Sequence, residues 1–270
     1  MNPVDAANSP AELLTSLFSL EGQVAIITGG GAGLGSDLSL MFAAAGAHVV
    51  TADLNHDGAK GVADQIRGRG GAATALHVDV TDEASVIAMF DHVRRELGGV
   101  DVLINNVGAY PNKPILDVTV SDWEFVQDVN LKGTFLCTRE ALRQMKDLSK
   151  KGRIVNISSI ASMHPALLGN ASYCASKGGV NMFTKEVALE AAEWGINVNV
   201  LAPGGVLTET RAKLSASANN WRGPATQPGR FLLGAAPPWK HAACALFLAS
   251  AAATHITGQV LVADGGFLIS

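Results

Sequence analysis

Residues 23–35 read Gln-Val-Ala-Ile-Ile-Thr-Gly-Gly-Gly-Ala-Gly-Leu-Gly, QVAIITGGGAGLG, and this stretch decides the fold. Its first half is a short apolar run rich in β-branched residues, the composition of a strand covered on both faces. Its second half is mostly glycine, and helical periodicity begins directly afterwards, over residues 34–45. Glycine allows a tight turn and lets the backbone approach a ligand closely. A helix that starts there offers unpaired N–H groups to a pyrophosphate. An ordinary strand-to-helix loop is the competing reading, and the next strand strengthens the case for a phosphate cradle. That strand ends at Asp53, about 20 residues beyond the glycines, where a carboxylate accepts hydrogen bonds from an adenosine ribose. A carboxylate at that place repels a 2′-phosphate, and Ala32 offers no basic side chain to attract one. The stretch therefore predicts a site for NAD rather than NADP, with Gly29, Gly33, Leu34, Gly35 and Asp53 among its residues.

Outward from this unit the same rhythm continues. Strand candidates lie at 23–29, 48–54, 73–80, 100–106, 153–159, 197–204 and 259–266. Between them run segments of helical period at about 34–45, 57–69, 82–97, 121–148, 172–194 and 238–250. Apolar strands alternating with helices predict an α/β fold, a doubly wound parallel sheet with helices on both faces. Asp79, in HVDVTD, either meets the adenine edge of the cofactor or caps the next helix. Residues 205–236 break the rhythm, being long and rich in Gly, Pro, Ser and Ala, and are read as a lid over a binding site. The 270 residues carry a net charge of -4 and 48% hydrophobic residues, which fits a soluble globular protein with no basic excess for nucleic acid. The first 20 residues lack the pattern of a secretory signal. No apolar run reaches the ~20 residues that span a bilayer. Ser9-Pro10-Ala11-Glu12 instead predicts a helix start with a capping box, its apolar face (Leu13, Leu14, Leu17, Phe18) docked on the body or on a neighbouring subunit. Cys137, Cys174 and Cys244 lack metal-ligand spacing and are expected to be free, buried thiols in a reducing cytosol; no metal site is expected.

Asn170–Gly179, NASYCASKGG, places Tyr173 and Lys177 on one helical face, one turn apart among small side chains. A chance surface pair is one reading. A phenol held beside a fixed positive charge is the other. Further motifs stand in order along the chain: Asn105-Asn106-Val107-Gly108 after the fourth strand, Asn130 in DVNLKGTF, Ser158-Ser159 in NISS, and Pro203-Gly204 followed by Thr208. Together with Thr28, Gly29, Gly33 and Gly35 in the pattern T-G-x-x-x-G-x-G, they resemble the short-chain dehydrogenase/reductase family over about residues 20–270. Val107 stands where that family usually has alanine.

The resemblance implies a single Rossmann-type catalytic domain over 21–270, with a mostly seven-stranded parallel sheet, behind an N-terminal extension (1–20). It implies an NAD-dependent oxidoreductase that interconverts a secondary alcohol and a ketone. A free phenol has a pKa near ~10, and a base at neutral pH needs it about three units lower, ~4 kcal/mol of preference for the phenolate. The Lys177 ammonium and a positively charged nicotinamide ring favour that anion. Tyr173 is then the acid and base, Lys177 also holds the nicotinamide ribose, Ser159 rather than Ser158 holds the substrate oxygen, and Asn130 anchors a proton relay through its carbonyl. A mid-helix bend is the structural alternative for Asn130. The spacing from Ser159 to Tyr173 implies a one-residue insertion in the 160–171 loop.

The cofactor set extends to Asp79, Val80, Asn106, Gly108, Pro203, Gly204, Val206 and Thr208, the last alternatively a turn in the lid. Asn105 and Gly108 are expected to shape the loop that passes the cofactor. His164 either touches substrate or faces solvent; His241 and His255 are read as structural. In the lid, Arg211, Lys213, Arg222 and Arg230 against Glu209 suit an anionic substrate, or are scattered solvated charges. Trp221, Phe231, Leu232, Leu233 and Trp239, with Tyr110, suit a cyclic, aromatic or hydroxysteroid-like alcohol. A 3-oxoacyl-thioester reductase is the enzymatic alternative, and a dinucleotide-sensing protein the non-catalytic one. The resemblance also implies a cytoplasmic homotetramer.

Overall fold

The computed structural model describes residues 9–208 and 222–270. Its strands are β1 (Val24–Thr28), β2 (His48–Asp53), β3 (Ala72–His77), β4 (Val102–Asn105), β5 (Arg153–Ile157), β6 (Asn197–Pro203) and β7 (Val260–Ala263). Among the described residues they form one seven-stranded sheet, every pair parallel, in the order β3-β2-β1-β4-β5-β6-β7. The chain winds outward from β1 to β3, then crosses back to lay β4 on the other side of β1. A crevice opens at such a reversal, beyond the carboxyl ends of β1 and β4, and ligands bind there in open α/β sheets.

The helices are α1 (Pro10–Phe18), α2 (Gly33–Ala44), α3 (His56–Gly68), α4 (Glu83–Leu97), α5 (Val120–Gln127), α6 (Gly133–Asp147), α7 (Ala171–Ala191) and α8 (Pro238–Ala249). Alternation along β1 sends Ile26 to one face of the sheet and Ala25 and Ile27 to the other. On the first face Ile26 packs in a core with Met89 and Phe90 of α4, Leu136 and Met145 of α6 and Ala188 of α7. On the second, Leu38 and Phe42 of α2, Ile66 of α3 and Leu248 of α8 close over the sheet. Each such side chain contributes about 1.5–3 kcal/mol by leaving water, so the crevice is framed by a rigid scaffold.

Three sequence expectations need revision. The helix expected over 121–148 is two helices joined by a π-helical turn, Asp128–Lys132. The third strand ends at His77, not at Val80, because Asp79 folds back: its carboxylate accepts from the Thr81 N–H at 2.9 Å and the Thr81 hydroxyl at 2.7 Å. The helix cap that Asp79 was a candidate for is Asp82, which accepts from the Ala84 N–H.

Helix α1 starts as expected, with the Ser9 hydroxyl accepting from the Glu12 N–H. It buries none of its residues fully and lies against the short turn Ala251–Ala253. Cys137 is buried while Cys174 and Cys244 are only half-buried; all three are free. At the base of the expected lid, Val206 and Ala236 form an isolated parallel bridge, with the Ala236 N–H donating to the Gly205 carbonyl. Glu209, Arg211, Lys213 and Trp221 lie outside the described residues.

Candidate active site

The glycine loop gives the crevice its floor. Gly29 and Gly33 adopt left-handed backbone, φ +64° and +53°, which strains any other residue. A Cβ on Gly35 would stand 1.8 Å from the Gly29 carbonyl oxygen, so the turn closes only around glycine. Helix α2 then begins at Ala32 without a side-chain cap, and Ala32, Gly33, Leu34 and Gly35 all line the cavity. Its first-turn N–H groups have no partner within the helix. They fit an anion, and the residues present therefore fit the pyrophosphate of a dinucleotide. Asp53 fastens the loop from the side, accepting from the Gly31 N–H and the Asn55 N–H, both at 2.9 Å. The Asn106 amide donates to the carbonyls of Thr28 and Gly29 at 3.1 and 3.2 Å, tying the ends of β1 and β4 together. Asn105, expected to shape this loop, turns instead into the interior, donating to Thr138 and Asn156.

The cavity holds about 360 Å³. Of the residues named from sequence, Gly33, Leu34, Gly35, Asn106, Gly108, Ser159, Tyr173, Lys177, Pro203, Gly204, Val206 and Thr208 line it. Gly29 lies beneath this lining. Asp53, the last residue of β2, and Asp79 and Val80, past the end of β3, are not in this lining; Val80 is itself buried and packs where a Cβ on Gly133 would be. Thr81 holds the Asp79 carboxyl below its usual range, so Asp79 is anionic but locally engaged.

Tyr173 enters from the first turn of α7. Burial pushes its phenol up to about 12, while the Ser159 hydroxyl, hydrogen-bonded to it, pulls the other way. Lys177 is 3% exposed, and burial brings its amine down to about 8. The amine lies 5.9 Å from the centre of the Tyr173 ring and donates to the Ile157 carbonyl at 2.7 Å. Within the protein alone, desolvation of the phenol outweighs its hydrogen bond to Ser159.

The two serines separate clearly. The Ser158 hydroxyl donates to the Lys177 carbonyl at 3.2 Å, whereas Ser159 faces Tyr173 and accepts from the Ala161 N–H.

Asn130 is fully buried in the π turn. Its amide accepts from the Ala109 N–H at 2.7 Å and donates to the Ala109 carbonyl and the Ser176 hydroxyl, each at 2.9 Å. It thus joins the loop after β4 to the Tyr173–Lys177 helix. Its carbonyl accepts from the Thr134 hydroxyl at 2.8 Å. Ser176 was missed from sequence, although a small polar residue three positions after Tyr173 was the available signal. His164 lies outside the cavity lining, its ring edge-on to Phe267 at 5.7 Å. Phe231, half-buried, lines the cavity with Phe267 behind it, ring centres 4.9 Å apart. Arg230 lies 4.7 Å from the centre of the Phe267 ring and donates to the Ser270 carbonyl, so it is not aimed into the cavity.

The sequence profile of a family described as short chain dehydrogenase matches residues 23–219. The chain belongs to the short-chain dehydrogenase family. It is 38% identical to a D-threitol dehydrogenase of Mycolicibacterium smegmatis over 93% of this chain and 95% of that one. It is 37% identical to a cyclopentanol dehydrogenase of a Comamonas species over 91% and 96%. A crystal structure of a short-chain dehydrogenase/reductase from Mycobacterium marinum superposes with a TM-score of 0.87 at 34% identity, covering 94% of this chain and 99% of that one. As a short-chain dehydrogenase, the protein is an oxidoreductase acting on CH–OH groups. Nicotinamide dinucleotide is the family's cofactor, and the uncapped start of α2 is chemically suited to it.

Proposed function

We propose that the protein is an NAD-dependent dehydrogenase of neutral, cyclic or aromatic secondary alcohols, converting them reversibly to ketones. One observation supports this above the rest. A single cavity is lined at one end by the uncapped start of α2 and at the other by Tyr173, Ser159 and Lys177. When bound, the dinucleotide supplies the hydride acceptor or donor. Tyr173 takes the alcohol proton in oxidation and returns one to the oxygen in reduction. Ser159 holds that oxygen beside the phenol. Lys177 positions the cofactor ribose, and its buried amine also favours the phenolate when charged. Asn130 keeps the loop after β4 and α7 in register around them.

The preference for NAD rests on Asp53, whose carboxylate, already holding Gly31, opposes a 2′-phosphate. That choice also disfavours the acyl-thioester reductase alternative. The reading of a neutral substrate rests on the carbon lining of Ala166, Leu167, Ala225 and Phe231. Asp79, Val80 and Thr208 belong to the proposed cofactor contacts at the adenine and nicotinamide sides. We also read the protein as a cytoplasmic homotetramer. Exposed Phe125, Phe135, Met182 and Leu189 on α5 to α7 support an assembly, and sedimentation would measure it.

The function is tested by turnover of a panel of secondary alcohols with NAD and NADP. Cyclic alcohols with NAD are expected to react, and Tyr173→Phe to lower kcat by about 10²–10⁴. Full activity in Tyr173→Phe, or a clear preference for NADP, overturns the corresponding half of the reading.

A further inference from the structure

The chain has two tyrosines, and both line the same cavity. Tyr110 is carried by the loop after β4, and its ring meets that of Tyr173 edge to face, centroids 5.9 Å apart at 61°. The loop that carries it is fastened on both sides. Asn130 brackets Ala109 through both of its backbone polar groups. Beyond Tyr110, the Asn112 amide donates to the Leu168 carbonyl at 2.5 Å, and the Lys113 N–H donates to the Gly169 carbonyl at 2.9 Å. The Lys113 ammonium pairs with Asp122. A surface loop held in this way presents its side chain with little further loss of entropy on binding.

We propose that Tyr110 is the specificity-determining residue of the site and selects alcohols whose reacting carbon belongs to a ring. The proposal deepens the function given above and rests on Tyr173 being the acid–base group. A substrate that delivers its oxygen to the Tyr173 hydroxyl lies beside the Tyr110 ring. Around that place the lining is carbon: Ala166, Leu167, Ala225 and Phe231. Of the nearby polar groups, the Thr226 hydroxyl already gives its proton to the Gly223 carbonyl and the Asn170 amide oxygen already accepts from Asn112. A ring buries apolar surface against Tyr110, and aromatic edge contacts add to that burial. An open-chain polyol buries less apolar surface against that ring and sets hydroxyls against carbon, a penalty for each one left without a partner.

The test measures dissociation constants of cyclohexanone and butan-2-one from the NADH-loaded protein, by quenching of NADH fluorescence, alongside turnover of the matching alcohols. Tyr110→Ala is expected to weaken cyclohexanone by about tenfold and to leave butan-2-one and NADH within about twofold. Tyr110→Phe, which keeps the ring, should bind cyclohexanone like the wild type. The proposal is overturned if Tyr110→Ala binds cyclohexanone normally, if it weakens both ketones or NADH equally, or if the wild type binds no cyclohexanone. Ring-selective binding lost in Tyr110→Ala, but without turnover of any alcohol, would uphold the role of Tyr110 and sink the dehydrogenase reading instead.

Discussion

Ser158 and Ser159 are neighbours of identical chemistry whose surroundings give them different work. The Ser158 hydroxyl is committed to the Lys177 carbonyl, a bond worth about 1 kcal/mol. Ser159 touches the phenol and is the contact that holds its pKa down. Ser159→Ala is therefore expected to lower kcat by about 10²–10³, as loss of a donor to a developing oxyanion does. It should also move the pH at which oxidation gains rate upward, since the remaining influences named on Tyr173 all raise it. Ser158→Ala should leave both quantities nearly unchanged. A pH–rate profile of the two variants decides, and the reverse pattern would exchange their roles. In sequence the choice of Ser159 rested on the family resemblance, because two adjacent serines look alike. The partners that separate the two serines, Lys177 and Tyr173, stand 19 and 14 positions away in sequence.

At the scale of elements, the strands and most helices were legible because burial on both faces writes apolar runs, and glycine marks where they turn. The break between α5 and α6 was not. Residues 121–148 keep a helical pattern throughout, and a π turn adds one residue without needing proline or glycine. Its reason is tertiary: the widened turn places Asn130 where one amide meets Ala109 and Ser176 together. Asn130→Ala takes the partner from both the N–H and the carbonyl of Ala109, and one of two from the Ser176 hydroxyl, which still donates to the Tyr173 carbonyl; it should cost about 2–4 kcal/mol. That corresponds to roughly 5–10 °C in thermal denaturation, with loss of turnover. An unchanged melting temperature would show that the turn is held by something else. The glycine loop was legible to the residue, because its geometry is a backbone requirement. Gly35→Ala cannot close the turn against the Gly29 carbonyl, so fluorescence titration should find NADH binding lost while the melting temperature falls by a few degrees. Retained affinity would remove the loop from the cofactor site. The clasp of residues 112–113 on 168–170 was hidden, because its partners lie more than fifty positions apart and carry no periodic signal.

For the whole molecule, the informative residue is Lys177, because its charge is a cost carried by the entire fold. Burial lowers its pKa from 10.5 to about 8. A base with a lowered folded-state pKa holds its proton less tightly when folded than when unfolded. Its penalty is therefore complete below about pH 8, shrinks as the pH rises from 8 towards 10.5, and is absent above that. Tyr173 acts in the opposite sense and later: its burial carries no charge penalty below pH 10, and the penalty on the phenolate grows as the pH rises from 10 towards 12. Lys177→Met removes a penalty of roughly 3 kcal/mol at neutral pH. It also gives up the bond to the Ile157 carbonyl, about 1 kcal/mol. The inactive variant should thus melt about 5 °C above the wild type at pH 7, and the gap should close by pH 10. Thermal denaturation of both proteins across that range measures it. If the variant melts lower at pH 7, the amine is stabilised in place and the site is not held at the fold's expense. If it melts higher by the same margin at every pH, packing rather than charge is responsible. The expected pattern, a gap that closes with pH, is what a scaffold produces when it keeps a desolvated amine beside a phenol for the sake of chemistry.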